Sequence, residues 1–137
     1  MKDPLRSLPG YALRRASAAM MEDLGQRLNV LDLRTTDVSV LILIDANPGV
    51  TQSGLCRALG IQRANMTPLI ARLDKRNLLE RTAVDGRSHG LALTKAGQLL
   101  LSQARKTIAA HEDTLLSRIP EEHRAHLVPA LQALWND

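Results

Sequence analysis

The sequence predicts a mainly α-helical domain carrying one small β-hairpin, and three observations predict it. Apolar residues recur at steps of three and four along most of the 137 residues, the spacing of helices buried along one stripe. Near the middle, two short helical stretches are separated by a break of three or four residues that contains Gly60. After them, two short segments flank Asp85-Gly86-Arg87-Ser88-His89, a run of turn formers and polar groups that reads as a hairpin tip.

Taken in order, Pro9-Gly10 precede apolar positions Leu13, Ala16, Met20, Leu24, Leu28 and Leu31, a long amphipathic helix over roughly residues 11–30. The next apolar run, Val38 to Ile44, alternates as a strand would. Thr35, Thr36 and Asp37 nevertheless offer an N-cap and Asn47-Pro48-Gly49 a stop, so a buried helix is expected. Thr51 caps a short helix, Gln52 to Leu59, and Gly60 stands where a left-handed C-terminal residue belongs. Ile61, Met66, Leu69, Ile70 and Leu73 mark a second helix over about 63–76. Two short helices joined by such a turn are the helix-turn-helix pattern. Leu79 to Val84 and Gly90 to Thr94 form the expected hairpin, a wing with a basic tip. Thr94 can cap a helix over about 95–118 with Leu100, Ala104, Ile108, His111 and Leu115 on one stripe. A last helix runs from near Pro120, with Glu121 and Glu122 in its first turn, to near Trp135, and Pro129 should kink it.

Charge placement carries the functional argument. Between Arg57 and Arg87 lie seven basic residues (Arg57, Arg63, Arg72, Lys75, Arg76, Arg81, Arg87) against three acidic ones, a net +4 that equals the excess of the whole chain. A cationic segment on an otherwise neutral body suits a phosphate backbone. Tyr11 and Trp135 are the only aromatic residues, which argues against single-stranded nucleic acid, where bases stack on aromatic rings. Cys56 is alone, so no intrachain disulfide can form and a reducing compartment fits. Beside Leu55 and Leu59 it reads as a buried structural thiol. No leader and no membrane-length apolar run is visible, so a cytoplasmic protein with no membrane partner is expected. His123 and His126 share a helix face with Glu122, and His111 stands on the preceding helix. Their spacing completes no recognisable metal site, and the histidines read as a solvated helix face. Neither a cofactor nor an enzymatic activity is expected.

The order helix, helix, helix-turn-helix, wing, long helix, short helix resembles the MarR (multiple antibiotic resistance regulator) family. Gly49-Val50-Thr51-Gln52-Ser53 with Leu55, Ala58, Leu59 and Gly60 is similar to the first helix of that family's motif. Residues Ile61 to Leu73 resemble its recognition helix; Leu78 to Arg81, Asp85 to Ser88 and Leu91 to Gly97 resemble its wing and the start of the next helix. The resemblance is strong over about 49–101. It departs at Gln62, where Asp or Ser is the more usual cap, and at Pro68, in the second turn of the recognition helix, where a local bend is expected.

The expected fold is a winged helix-turn-helix domain spanning 1–137. Its DNA-binding lobe is 35–97, flanked by dimerisation helices over 1–34 and 98–137 whose apolar stripes (13–31 and 127–135) exceed what one lobe can cover. The expected partners are double-stranded DNA and a second copy of the chain. Arg63 and Asn65 suit base edges, Thr67 or Pro68 a thymine methyl, and Arg72 and Lys75 phosphates. The resemblance adds Thr51, Gln52, Gln62, Arg81, Ser88 and His89 to the DNA face. It implies that Arg87 reaches the minor groove with Asp85 fixing its side chain. It also implies a pocket for a small anionic, aromatic effector between the dimerisation helices and the DNA-binding lobe; Tyr11, Arg14 and Arg15 suit it, surface salt bridges being the alternative. The expected function is a ligand-responsive repressor. A sequence-tolerant architectural DNA binder and a small helical metal enzyme using His111, His123 and His126 are the alternatives.

Overall fold

A computed structural model describes residues 1–83, 85–86 and 89–136. The expected hairpin positions Val84, Arg87 and Ser88 lie outside the described residues. A short 3-10 turn, Pro4–Ser7, leads into α1 (Pro9–Leu28) and a second 3-10 turn, Asn29–Leu31. Then come α2 (Thr35–Ala46), β1 (Val50–Thr51), α3 (Gln52–Leu59), α4 (Arg63–Lys75), β2 (Leu79–Ala83), β3 (His89–Leu93), α5 (Lys95–Arg118) and α6 (Glu121–Gln132).

The ambiguous Val38–Ile44 run is helical, and Val38, Val40, Leu41 and Ile44 are buried in it. Alternation misleads here because α2 lies at the centre, against α1, α3, α5 and β3, so both faces of a short stretch are apolar. Its cap differs from expectation. Thr35, Thr36 and Asp37 lie inside the first turn; the cap position is Arg34, whose backbone N–H donates to Asp37 Oδ2 at 2.8 Å. A carboxylate three residues into the helix satisfies a donor that the helix cannot.

The hairpin is antiparallel, with Leu79 opposite Leu93 and Arg81 opposite Leu91. A third strand, unforeseen in the sequence, joins it: Val50 pairs with Leu91 and Thr51 with Gly90, in the order β1-β3-β2. Two residues are too few to show alternation, so the strand is visible only once β3 is beside it. The sheet's inward side chains, Leu79, Leu91 and Leu93, join Leu41, Ile44, Leu55, Met66, Ile70 and Leu73 in one core. Each such side chain, fully buried, stabilises by roughly 1.5–3 kcal/mol. Gly97 sits where α5 meets the hairpin, and a Cβ there would fall on the Leu78 carbonyl, so only glycine allows this approach.

α1 and α5 pack together through a polar junction. The sequence placed His111 on the apolar stripe of its helix and also among histidines read as a solvated face; the structure bears out the stripe, since His111 is 4% exposed while His123 and His126 are exposed. Its Nδ1 lies 2.7 Å from Asp23 Oδ2, which also accepts from Arg27 Nε at 2.9 Å. Arg27 reaches Thr114 Oγ1 at 3.1 Å. The hydrogen bonds from His111 and Arg27, with the Arg27 charge beside them, hold the Asp23 carboxyl below its ordinary 3.8. A lowered carboxylate pKa contributes stability that is complete above the unfolded value and lost as pH falls through the folded one. Asp23→Asn is therefore expected to lower the denaturation midpoint at pH 7 and to shallow the acid-induced loss of stability below pH 3.8, read by urea titrations across pH.

Candidate DNA-binding interface

The helix-turn-helix is assembled by local chemistry. Thr51 Oγ1 accepts from Gly54 N at 3.1 Å and caps α3, a bond worth about 1 kcal/mol. Gly60, at φ 63°, ends the helix in the left-handed region. α4 then begins at Arg63 with no side-chain cap from Gln62, as the residue type leads one to expect. Its first turn therefore has no side-chain acceptor at the cap, and helix N-termini left this way suit a phosphate oxygen.

Met66, Leu69, Ile70 and Leu73 bury one face of α4, leaving Arg63, Ala64, Asn65, Thr67 and Pro68 exposed on the other. Pro68 removes a donor within the helix, which still runs unbroken to Lys75. Gln52 Nε2 donates to Thr67 Oγ1 at 2.8 Å, and that hydroxyl donates to Arg63 O at 3.0 Å. The two motif helices are thereby linked across their outer edge through Thr67, which remains exposed.

Two hollows flank α4. One, about 440 Å³, is lined by Thr51, Gln52, Ser53, Cys56, Arg63, Arg81 and His89. It brings five of the expected DNA residues, Thr51, Gln52, Arg63, Arg81 and His89, together from β1, α3, α4 and both long strands. Cys56, expected to be buried, is half-buried at its wall. The other, about 380 Å³, is lined by Asn65, Pro68 and Arg72 with Arg34, Thr36, Ile61 and Leu69. Arg34 and Thr36 escaped the sequence reading because they lie outside the basic segment; only the packing of the α2 start against α4 brings them in.

The cations of the basic segment divide by their partners. Arg72 Nη2 lies 2.8 Å from Asp37 Oδ1, whose side chain is only 5% exposed. Arg76 donates to the Asp32 and Leu31 carbonyls at 2.6 and 3.1 Å. Arg72 thus ties α4 to the first turn of α2, and Arg76, just past the end of α4, ties that end to the α1–α2 connection. Arg81 lies 3.7 Å from Asp74, both half exposed, a pairing worth about 0–1 kcal/mol that a phosphate can displace. Arg57, Arg63 and Lys75 are exposed, with no carboxylate within 4.0 Å among the described residues. His89 and Asp85 lie at the exposed end of the hairpin, while Arg87 and Ser88 fall outside the described residues.

The effector candidates stand apart. Tyr11 and Arg15, with Asp3, Arg6 and Ala12, line a hollow of about 440 Å³ between the first 3-10 turn and α1, not between the helices and the DNA-binding lobe of the same chain. No helix is long and apolar enough to cross a membrane, and no cluster of three metal-ligating side chains occurs, among the described residues.

Comparison with known proteins agrees with this architecture. The MarR family sequence profile matches residues 31–88. The chain is 36% identical to the transcriptional repressor CouR bound to a 23-mer DNA duplex, with a TM-score of 0.92 over 99% of each chain. The same repressor bound to p-coumaroyl-CoA superposes at 0.89 over 100% of this chain and 98% of that one, also at 36% identity. CouR from Rhodococcus jostii RHA1 bound to p-coumaroyl-CoA is 25% identical, at 0.85 over 97% and 95%. The chain belongs to the MarR family of winged helix-turn-helix DNA-binding transcriptional regulators.

Proposed function

We propose that the chain is a cytoplasmic repressor that binds a near-palindromic duplex operator as a homodimer and leaves it when an anionic, aromatic effector binds. One observation carries the DNA reading: Arg63, Asn65, Thr67 and Pro68 stand exposed on α4 between two cation-lined hollows. Such a helix enters the major groove while the flanks meet phosphates. A 36% identical relative is a repressor described on a DNA duplex and with p-coumaroyl-CoA, which supports both halves of the proposal. Footprinting on the region upstream of the coding sequence should give two protected half-sites about one helical turn apart. Protection that ignores sequence would favour an architectural binder instead.

The dimer rests on an apolar groove of about 800 Å³ along α1, the end of α5 and α6, lined among others by Leu13, Met20, Leu115, Leu127, Leu131 and Trp135. Leu134 and Trp135 are 67% and 66% exposed in the single chain, more apolar surface than one lobe hides. A second copy of the same helices, related by a two-fold axis, covers it. Sedimentation at low micromolar concentration is expected to give about twice the 15.0 kDa chain mass; a clean monomer would remove the basis for two-site binding.

The proposed wing contact is tested by Arg87→Ala. The variant is expected to weaken binding to most sequences and to flatten the salt dependence by roughly one unit of slope, as loss of one cationic contact does. An unchanged affinity and slope would show that the hairpin does not touch DNA.

A further inference from the structure

Tyr11, Arg14 and Arg15 at the start of α1, with Arg6 on the 3-10 turn before it, form a group that the DNA reading does not use. Arg14 and Arg15 place their guanidinium carbons 5.3 and 5.8 Å from the centre of the Tyr11 ring. Arg15 Nη1 donates to the Tyr11 hydroxyl at 2.9 Å, fixing the ring against its own helix. Arg6, on the 3-10 turn, lines the same hollow as Tyr11 and Arg15. The salt bridges that would explain surface arginines do not form: none of the three has a carboxylate within 4.0 Å among the described residues. Asp3 also lines the hollow, and its Oδ1 accepts from Leu5 N at 3.1 Å as the cap of that turn. The hollow therefore carries an excess of positive charge beside an aromatic face.

We propose that Arg6, Arg14 and Arg15, gathered around Tyr11, hold the phosphate-bearing nucleotide head of a CoA thioester. The proposal rests on the effector half of the proposed function and narrows it. A free aromatic acid presents one carboxylate, which one guanidinium satisfies through two parallel hydrogen bonds. Three guanidinium groups in and beside one hollow match a ligand with several anionic groups, as the 3′-phosphate and diphosphate of coenzyme A are. The ring and the planar guanidinium groups stacked near it also offer a face to adenine. A volume of about 440 Å³ lies in the range of small-molecule sites. Ala12 lines both this hollow and the apolar groove. The acyl end of a head-bound molecule thus arrives at the rim of the seam that the second copy covers, where it bears on the arrangement of the two DNA-binding lobes.

Calorimetric titration of the full-length protein with p-coumaroyl-CoA, p-coumarate and free coenzyme A separates the contributions. Free coenzyme A is expected to bind, the thioester to bind more tightly, and p-coumarate to bind more weakly than the thioester. The double variant Arg14→Ala/Arg15→Ala should weaken both CoA ligands about tenfold or more and leave p-coumarate unchanged, since charge-assisted contacts to phosphate are lost. Arg6→Ala should act in the same direction and, lying outside the long helices, remains informative if the double variant does not fold. The assignment is overturned if neither CoA ligand binds, if p-coumarate binds as tightly as the thioester, or if a folded variant binds the CoA ligands unchanged. A thioester that binds as expected yet leaves operator DNA bound in an anisotropy assay would instead sink the effector reading and leave the head-group site standing.

Discussion

Asp37→Ala is expected to lower the unfolding free energy by about 2–3 kcal/mol, the largest stability effect of any polar residue near the DNA face. One carboxylate does two things at once. Its Oδ2 accepts the Arg34 N–H at the start of α2, and its Oδ1 pairs with Arg72 of the recognition helix. Loss of a cap costs about 1 kcal/mol. Breaking a fully buried ion pair costs roughly 3–5 kcal/mol, but the Arg72 side chain is 41% exposed and regains water when its partner goes, so the second loss is smaller. α4 is also released from the start of α2, so operator affinity should fall further than stability alone dictates at temperatures where the variant remains folded. Asp37→Asn, which keeps an acceptor for Arg34 but no charge for Arg72, should lie between. Urea denaturation and operator titration on the three proteins check this; an unchanged midpoint in Asp37→Ala would show that the clamp contributes nothing.

Arg63→Ala is expected to cost ~1–3 kcal/mol at the cognate operator, roughly 5- to 150-fold in affinity, with relaxed preference at one symmetric pair of base positions. Arg63 opens α4, is exposed, and lines the hollow with Gln52, Arg81 and His89. Having no carboxylate within 4.0 Å among the described residues, it gives up no ion-pair partner when it turns toward a guanine edge. Helix content and dimer mass should stay unchanged, because the exposed side chain is no part of the core. A base-substituted operator series with a salt titration is the measurement. If Arg63→Ala lowers affinity equally for all sequences and only shifts the salt slope, Arg63 contacts phosphate rather than a base.

Arg72 and Arg63 show why a basic segment cannot be read as a uniform binding face. Both stand on α4 and count equally in the sequence charge. Arg72 turns out to be engaged by a carboxylate 35 residues earlier, and nothing in local spacing foretells that pairing. Arg76 is similar: its two carbonyl acceptors belong to the connection after α1. His111 stands on the apolar stripe of its helix, but its partner, Asp23 of α1, is 88 residues away in sequence and is not announced by local spacing.

The features legible in the residue order are those whose physics is local. Thr51 and Thr94 cap α3 and α5, Gly60 ends α3, and the spacing of Met66, Leu69, Ile70 and Leu73 sets the buried face of α4, because each depends on residues within a few positions. The tertiary structure alone decided the third strand, the Asp37–Arg72 clamp, the Asp23–His111 junction, the recruitment of Arg34 and Thr36, and the grouping of Arg6 with Tyr11 and Arg15. Most of these join elements far apart in the chain. Arg6 and Tyr11 are close in sequence, but that they line one hollow depends on how the 3-10 turn joins α1. Ion pairs and two-residue strands have no periodicity to announce them; they exist when packing of the apolar faces brings the partners within bonding distance.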